Sequence, residues 1–348
     1  MRGAVWYNTI GRTACDLVVE PKLALLMQVN QLRISFERHG IPAQAEKVEA
    51  SGFVPLANVP DIVWKKPTTT LGGRAPRDNP THYANLDEPD ANDQTLLDHL
   101  NTPTDLTVQA FQDYYDDLGH RKSSERGLLP FRVWQFYDAM VEAAGDRRIS
   151  EFVCAAGILA HYVSDGSQVL HGSYLFDGDP SRTEQPTGKK FGQGIHEAYE
   201  RTMINDHIDT LMDEVNAAVG QNPAMPLVRG GQDAGFEVVK LMERTRNRID
   251  PMALVEAYAA AIQGADDAPE EVLWDEFGTT TVEAIVDGCR VLAMLWDSAW
   301  QEGNGRAIDD TLLEAVGENE LKDLYSNQLF VPSLSLDEIS TILRLGLL

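Results

Sequence analysis

Apolar residues recur at three- and four-residue steps along most of this chain, the spacing that gathers side chains on one face of an α-helix. The stretch after Pro130 is the clearest case. Val133, Phe136, Tyr137, Met140 and Ala144 share one face, and Gln135, Asp138 and Glu142 fall opposite. Pro130 suits the entry of such a helix and Gly145 its close. The same reasoning predicts helices over roughly 13–37, 92–117, 130–145, 149–165, 194–219, 232–248, 251–264, 278–302, 308–316 and 335–346. No stretch alternates as a half-buried strand does, so the expected fold class is all-α.

Two polar stretches interrupt the pattern. Residues 66–90 are dense in Pro, Gly, Thr and Asp, and residues 172–193 carry Gly172, Gly178, Pro180, Pro186 and Gly188. Both are expected to be long loops, and long loops in compact domains tend to carry function. No composition shift marks a boundary, so the 348 residues are expected to form one helical domain, 1–348. Its metal-binding core would span about 55–205, with helices of unassigned role over 220–348.

Composition narrows the classes. A net charge of −25 with no basic stripe argues against steered binding to duplex nucleic acid. No apolar run approaches the ~20 residues of a transmembrane helix. The cysteines, Cys15, Cys154 and Cys289, are odd in number and widely spaced, which reads as buried thiols rather than a disulfide framework. Met1 to Ile10 lacks the pattern of a secretory leader.

The chemistry is concentrated in three segments. AHYVSDGSQVLHGS, residues 160–173, sets His161 and Asp165 four apart on one helix face, where they can grip one ion. Gly166 and Ser167 weaken the helix beyond them and free His171 to reach a neighbouring ion. The two oxygens of Asp165 suit it to bridging. GQGIHEAYE, residues 192–200, again places an imidazole and a carboxylate four apart, His196 and Glu200. Together they make half of a tetrahedral zinc site. NPTHYANLD, residues 79–87, presents His82 from a polar loop, flanked by Asp78 and Asp87, and Asp61 follows Pro60 as a further carboxylate. His161 lies in an apolar stretch, where a buried imidazole and carboxylate need a partner that a cation would supply. Tyr83 and Tyr162 adjoin proposed ligands and are candidate pocket walls. His207 reads as core or surface, and His39, His99 and His120 read as solvated.

At these residues the sequence resembles the zinc-dependent phospholipase C family and its relatives, the fungal and plant single-strand-specific nucleases. The motif HYxxDxxQPxH is matched by His161, Tyr162, Asp165, Gln168 and His171, with Val169 in place of Pro, and a later H-x3-E by His196 and Glu200. The resemblance covers about residues 55–205. It implies a multi-helix bundle with a cluster of two or three Zn2+ ions in a cleft. His82, His161, Asp165 and Asp61 would hold one ion, and His171, His196 and Glu200 a second. Asp165 would bridge toward a third, with Asp78 competing for the role of Asp61. Family members begin with a Trp that binds the third zinc. Here Trp6 is internal and no His precedes His39, so Arg12 is left as a candidate phosphate-binding cation. The resemblance also implies a secreted or periplasmic protein.

The expected activity is metal-dependent hydrolysis of a phosphate ester by zinc-activated water, with Asp61 and Asp165 as catalytic carboxylates and Asp78 as an alternative general base. A phospholipase C-like phosphodiesterase acting on a small phosphate ester or phospholipid is the first form. A single-strand nuclease or 3'-nucleotidase is the second, and a divergent or non-hydrolytic zinc protein on the same scaffold the third.

Overall fold

The computed structural model describes residues 3–38, 40–220, 224–264, 268–336 and 338–339. Among them it contains fifteen α-helices and one two-stranded sheet, an all-α architecture. The helix Ile149–Ser167 runs through the centre, and every residue from Phe152 to Ser167 is buried. A helix covered all round needs apolar residues all round, which FVCAAGILAHYV supplies. Around it pack Ala4–Leu17, Leu129–Gly145, Gly231–Arg248 and the long helix Pro269–Glu302, which crosses most of the others. No described helix is long and apolar enough to cross a membrane. The three cysteines are buried and unpaired.

The element with the clearest periodicity forms as predicted. Leu129–Gly145 buries Val133, Phe136, Tyr137, Met140 and Ala144, with Pro130 in its first turn. Where the prediction ran long, caps and prolines cut the helix. The span 13–37 is three helices, Ala4–Leu17, Pro21–Val29 and Gln31–Ile34. Glu20 accepts from Leu23 N at 2.9 Å and opens the second, and Asn30 closes it by donating to Leu26 O. The first helix starts nearer the N-terminus because Val5, Trp6, Tyr7 and Ile10 are core residues. The span 92–117 splits into Leu96–His99 and Val108–Asp117. The break holds the short turn Pro103–Asp105, in which Asp105 accepts from Thr102 N.

Further along, 278–302 begins earlier, at Pro269, and 308–316 holds one single turn, Asp310–Leu312, before a helix at Glu318–Ser326. The predicted helix 335–346 lies largely outside the described residues, as does His39. The loop 172–193 contains the unpredicted sheet, Asp179–Thr183 paired antiparallel with Lys190–Phe191.

Candidate metal centre

Four chain segments bring the predicted ligands together. The buried helix Ile149–Ser167 contributes His161 and Asp165 from one face, and the short turn Val169–Gly172 that follows turns His171 back toward them. The turn Asn79–His82 delivers His82 from the polar loop. The two remaining carboxylates ride on π-helical turns. Asp61 lies in Pro60–Trp64, where Lys65 N reaches back five residues to Pro60 O at 2.9 Å, and Glu200 lies in Ala198–Met203. Such wide turns recur at functional sites because they shift a side chain relative to the regular helix. Gly194 precedes His196 at φ 107°, and a Cβ there would lie 2.8 Å from the Tyr258 hydroxyl, so only glycine fits this entry.

The result is two adjacent groups, Asp61–His82–His161 and His171–His196–Glu200. Asp165 lies between them. Its Oδ2 is 2.9 Å from His82 Nδ1 and 3.5 Å from His161 Nε2, and its Oδ1 is 3.6 Å from His171 Nδ1. In the second group His196 Nε2 is 2.6 Å from Glu200 Oε2, and His171 Nε2 is 3.7 Å from the same oxygen.

Hydrogen bonds to the backbone fix which ring nitrogens face inward. His161 Nδ1 donates to Ala57 O at 2.9 Å, so the Nε2 lone pair of the neutral ring points at the first group. His171 Nδ1 donates to His82 O at 2.7 Å, which aims its Nε2 at Glu200. His161 Nε2 and His82 Nδ1 approach to 3.1 Å. Two imidazoles bound to one zinc at 2.0–2.1 Å in tetrahedral geometry hold their nitrogens about 3.4 Å apart. Within the groups His171 Nε2, Asp61 Oδ1 and Glu200 Oε2 are buried without a hydrogen-bond partner. The donor set therefore fits divalent cations, and carbonyl-oriented imidazoles are the usual outer support of a metal site.

The electrostatics agree. Burial alone would raise the carboxyl of Asp61, yet Lys65, His161 and His82 hold it well below the usual range. Glu200 is likewise held low, by His196 and His171 against its burial. Burial would lower His171, but Asp165 and Glu200 push it up to about 9. His161 is lowered, mainly by burial.

The groups floor a cavity of about 320 Å³ walled by Lys65, Asn79, Tyr83 and Phe176. Tyr83 is where the sequence placed it, its hydroxyl donating to Ser124 O at 2.7 Å. Two other candidates are not at the cavity. Tyr162 is fully buried, and its hydroxyl donates to Asp78 at 3.1 Å. Arg12 donates to Phe36 O at 3.2 Å and does not line the cavity. Trp6 is a core residue whose indole donates to Ser167 Oγ at 2.8 Å. Asp78 is no ligand in place of Asp61 and no general base. It lies behind His82, sealed from the cavity.

Four neighbours of the site were not predicted. Lys65 pairs with Asp61 at 2.5 Å, and its i,i+4 spacing was readable in PDIVWK. Phe176 stacks on His196 with centroids 4.1 Å apart, Tyr7 packs 4.7 Å from His161, and Asn79 lines the wall. These three are set by chain crossings that leave no local signal. His207, read as core or surface, stacks on Trp274 away from the cavity.

No family model matches the chain, and no solved structure matches it. A protein of Bradyrhizobium tropiciagri named as a probable serine protease is 36% identical over 327 residues, covering 82% of this chain and 41% of that protein. The chain thus spans about two fifths of the length of the relative it matches. This finding corrects the expected activity. A relative named for cleavage at a peptide carbonyl conflicts with hydrolysis at phosphorus, so the phosphodiesterase, phospholipase C-like and nuclease or nucleotidase readings are withdrawn.

Proposed function

We propose that this chain is a metal-dependent hydrolase acting on an amide or peptide bond, with zinc at the two groups. It would keep the ligand motif of the superfamily it resembles and put it to a different bond. The observation that carries the reading is the convergence of four buried imidazoles, through His82 Nδ1, His161 Nε2, His171 Nε2 and His196 Nε2, with Asp61, Asp165 and Glu200 on the floor of an open cavity. Nitrogen and carboxylate donors in this proportion favour zinc over magnesium or calcium, which take all-oxygen shells. The name of the relative supports the bond class.

A bound divalent ion acts as a Lewis acid and makes water nucleophilic near neutral pH. The chain's own groups do the rest. His82, His161 and Asp61 would hold one ion, His171, His196 and Glu200 the other, with Asp165 between them. Lys65 projects a cation beside Asp61, suited to a carbonyl oxygen gaining negative charge or to a carboxylate on the substrate. Phe176 and Tyr83 give apolar walls that exclude bulk water from the floor.

Among the described residues no serine hydroxyl hydrogen-bonds a histidine ring, which disfavours a serine nucleophile assembled from them. The test is a fluorogenic peptide library read with the purified chain in three arms: untreated, chelated, and treated with a serine-reactive sulfonyl fluoride. Cleavage lost on chelation, restored by Zn2+ and indifferent to the sulfonyl fluoride is the expected result. Cleavage that survives chelation and is abolished by the serine reagent overturns the proposal.

A further inference from the structure

The outer side of His82 holds a second arrangement. Its Nε2 faces away from the cavity, is buried and has no hydrogen-bond partner. The nearest carboxylate oxygen is Asp78 Oδ2, at 3.6 Å. Asp78 is fully buried, and its charge is met from every other side. Arg132 Nη2 approaches Oδ1 at 3.3 Å, Ser333 Oγ donates to Oδ1 at 2.8 Å, and Tyr162 Oη donates to Oδ2 at 3.1 Å.

Arg132 is itself fixed. It lies over Phe136, 4.7 Å from the ring centre, and donates to Gln135 Oε1 and to the carbonyls of Val331 and Pro332. Arg74 grips the same segment through the carbonyls of Val331, Asn327 and Phe330. Residues 327–333 are thereby stapled behind the loop that carries His82. Two buried guanidinium groups and one buried carboxylate are a costly thing to build, and removing one partner strands the others. Packing alone does not account for aiming that carboxylate at the outer nitrogen of a ring whose inner nitrogen faces the cluster.

We propose that Asp78 is a positioning residue for the metal at the first group: as a carboxylate it accepts from the Nε2–H of His82, fixes the tautomer with the Nδ1 lone pair inward, and is held there by Arg132 and by Ser333 of the C-terminal segment. The inference rests on the reading that Asp61, His82 and His161 hold an ion. Carboxylate–imidazole–metal relays raise the basicity of the ligand and fix its ring, and their loss costs 10- to 100-fold in metal affinity. The segment 327–333, which the sequence motifs do not reach, becomes part of the site.

The test is chelator competition on the full chain with Zn2+, read as two dissociation constants, with the visible spectrum of the Co2+-loaded protein as a second readout. Asp78→Asn is expected to weaken one site 10- to 100-fold, leave the other unchanged and alter the Co2+ bands of one ion only, and Asp78→Glu is expected to recover part of the loss. A folded Asp78→Asn that binds both ions as the wild type does, or loses both equally, overturns the proposal. A wild-type chain that takes up no ion overturns the underlying metal reading instead, so the two failures are distinct. Should Asp78→Asn not fold, Ser333→Ala keeps every charge and is expected to weaken the same site several-fold. Unchanged affinity in that variant overturns the proposal equally.

Discussion

Filling the second group should release a proton. In the metal-free chain Asp165 and Glu200 push His171 up to about 9 against its burial, so at pH 7 its ring carries two protons. One points at His82 O and stays there. The other, on Nε2, occupies the position an ion would take and must leave. Glu200 and Asp165 are held below the usual carboxylate range and have already lost theirs. Near one proton is therefore expected from His171 per ion bound at pH 7. The sign follows. Below about 9 each unit of pH lowers the proton competition tenfold, or about 1.4 kcal/mol, so affinity rises about a hundredfold from pH 7 to pH 9 and then levels. At the first group the two imidazoles move in opposite directions, His161 lowered mainly by burial and His82 raised by Asp165 and Asp78 against its burial. Calorimetric titration with chelator-buffered Zn2+ in two buffers of different ionisation enthalpy counts the protons directly. Zero protons released at pH 7, with affinity flat from pH 7 to 9, would refute the assignment of His171 as an ion ligand.

Two further outcomes test the surroundings. Gly157→Ala puts a methyl 2.5 Å from Leu56 Cδ1 and 2.6 Å from Leu56 Cβ. Helix propensity returns ~1 kcal/mol of the ~1–3 kcal/mol of overpacking. The melting temperature should fall, and because Leu56 adjoins Ala57, whose carbonyl holds His161, zinc affinity should fall with it; a raised melting temperature contradicts this packing. Asp138 is pushed up to about 6, chiefly by burial, while Trp134 donates to it at 2.8 Å. The penalty is absent below its ordinary pKa, grows as the pH rises from about 4 to 6 and is complete above, about 3 kcal/mol at most and ~1–2 kcal/mol for a partly exposed group. Asp138→Asn should therefore stabilise the chain at pH 8 and do nothing at pH 4, measured by urea unfolding at both, and a pH-independent gain would rule this cause out.

Much of the fold was readable because a buried helix must write its period into the sequence. Leu129–Gly145 and Ile149–Ser167 did so, and their bounds follow the apolar pattern closely. The helix ends were harder, because caps such as Glu20 and Asn30 act through side-chain hydrogen bonds that periodicity does not register. In the site, the pairs four residues apart were legible as pairs. His161 with Asp165, and His196 with Glu200, are local geometry. The meeting of His82 with His161 across 79 positions is not local and rested on the motif. Tyr162 misled because adjacency in sequence says nothing about which side of a helix faces the cavity, and Arg12, carried over from the resemblance, is turned to Phe36 O instead. The Tyr162 ring points from the same helix as His161 into the Asp78 network instead. Phe176 and Lys65 show the converse, walls supplied by residues no ligand motif contains.

Whether the two groups hold ions decides the chemistry of the site. Plasma mass spectrometry of the purified chain, loaded with Zn2+ and dialysed, measures this directly beside His161→Ala and His196→Ala. Two zinc ions per wild-type chain and one in each variant is the predicted result. A wild-type chain that retains none, or variants that retain as much as the wild type, would contradict it.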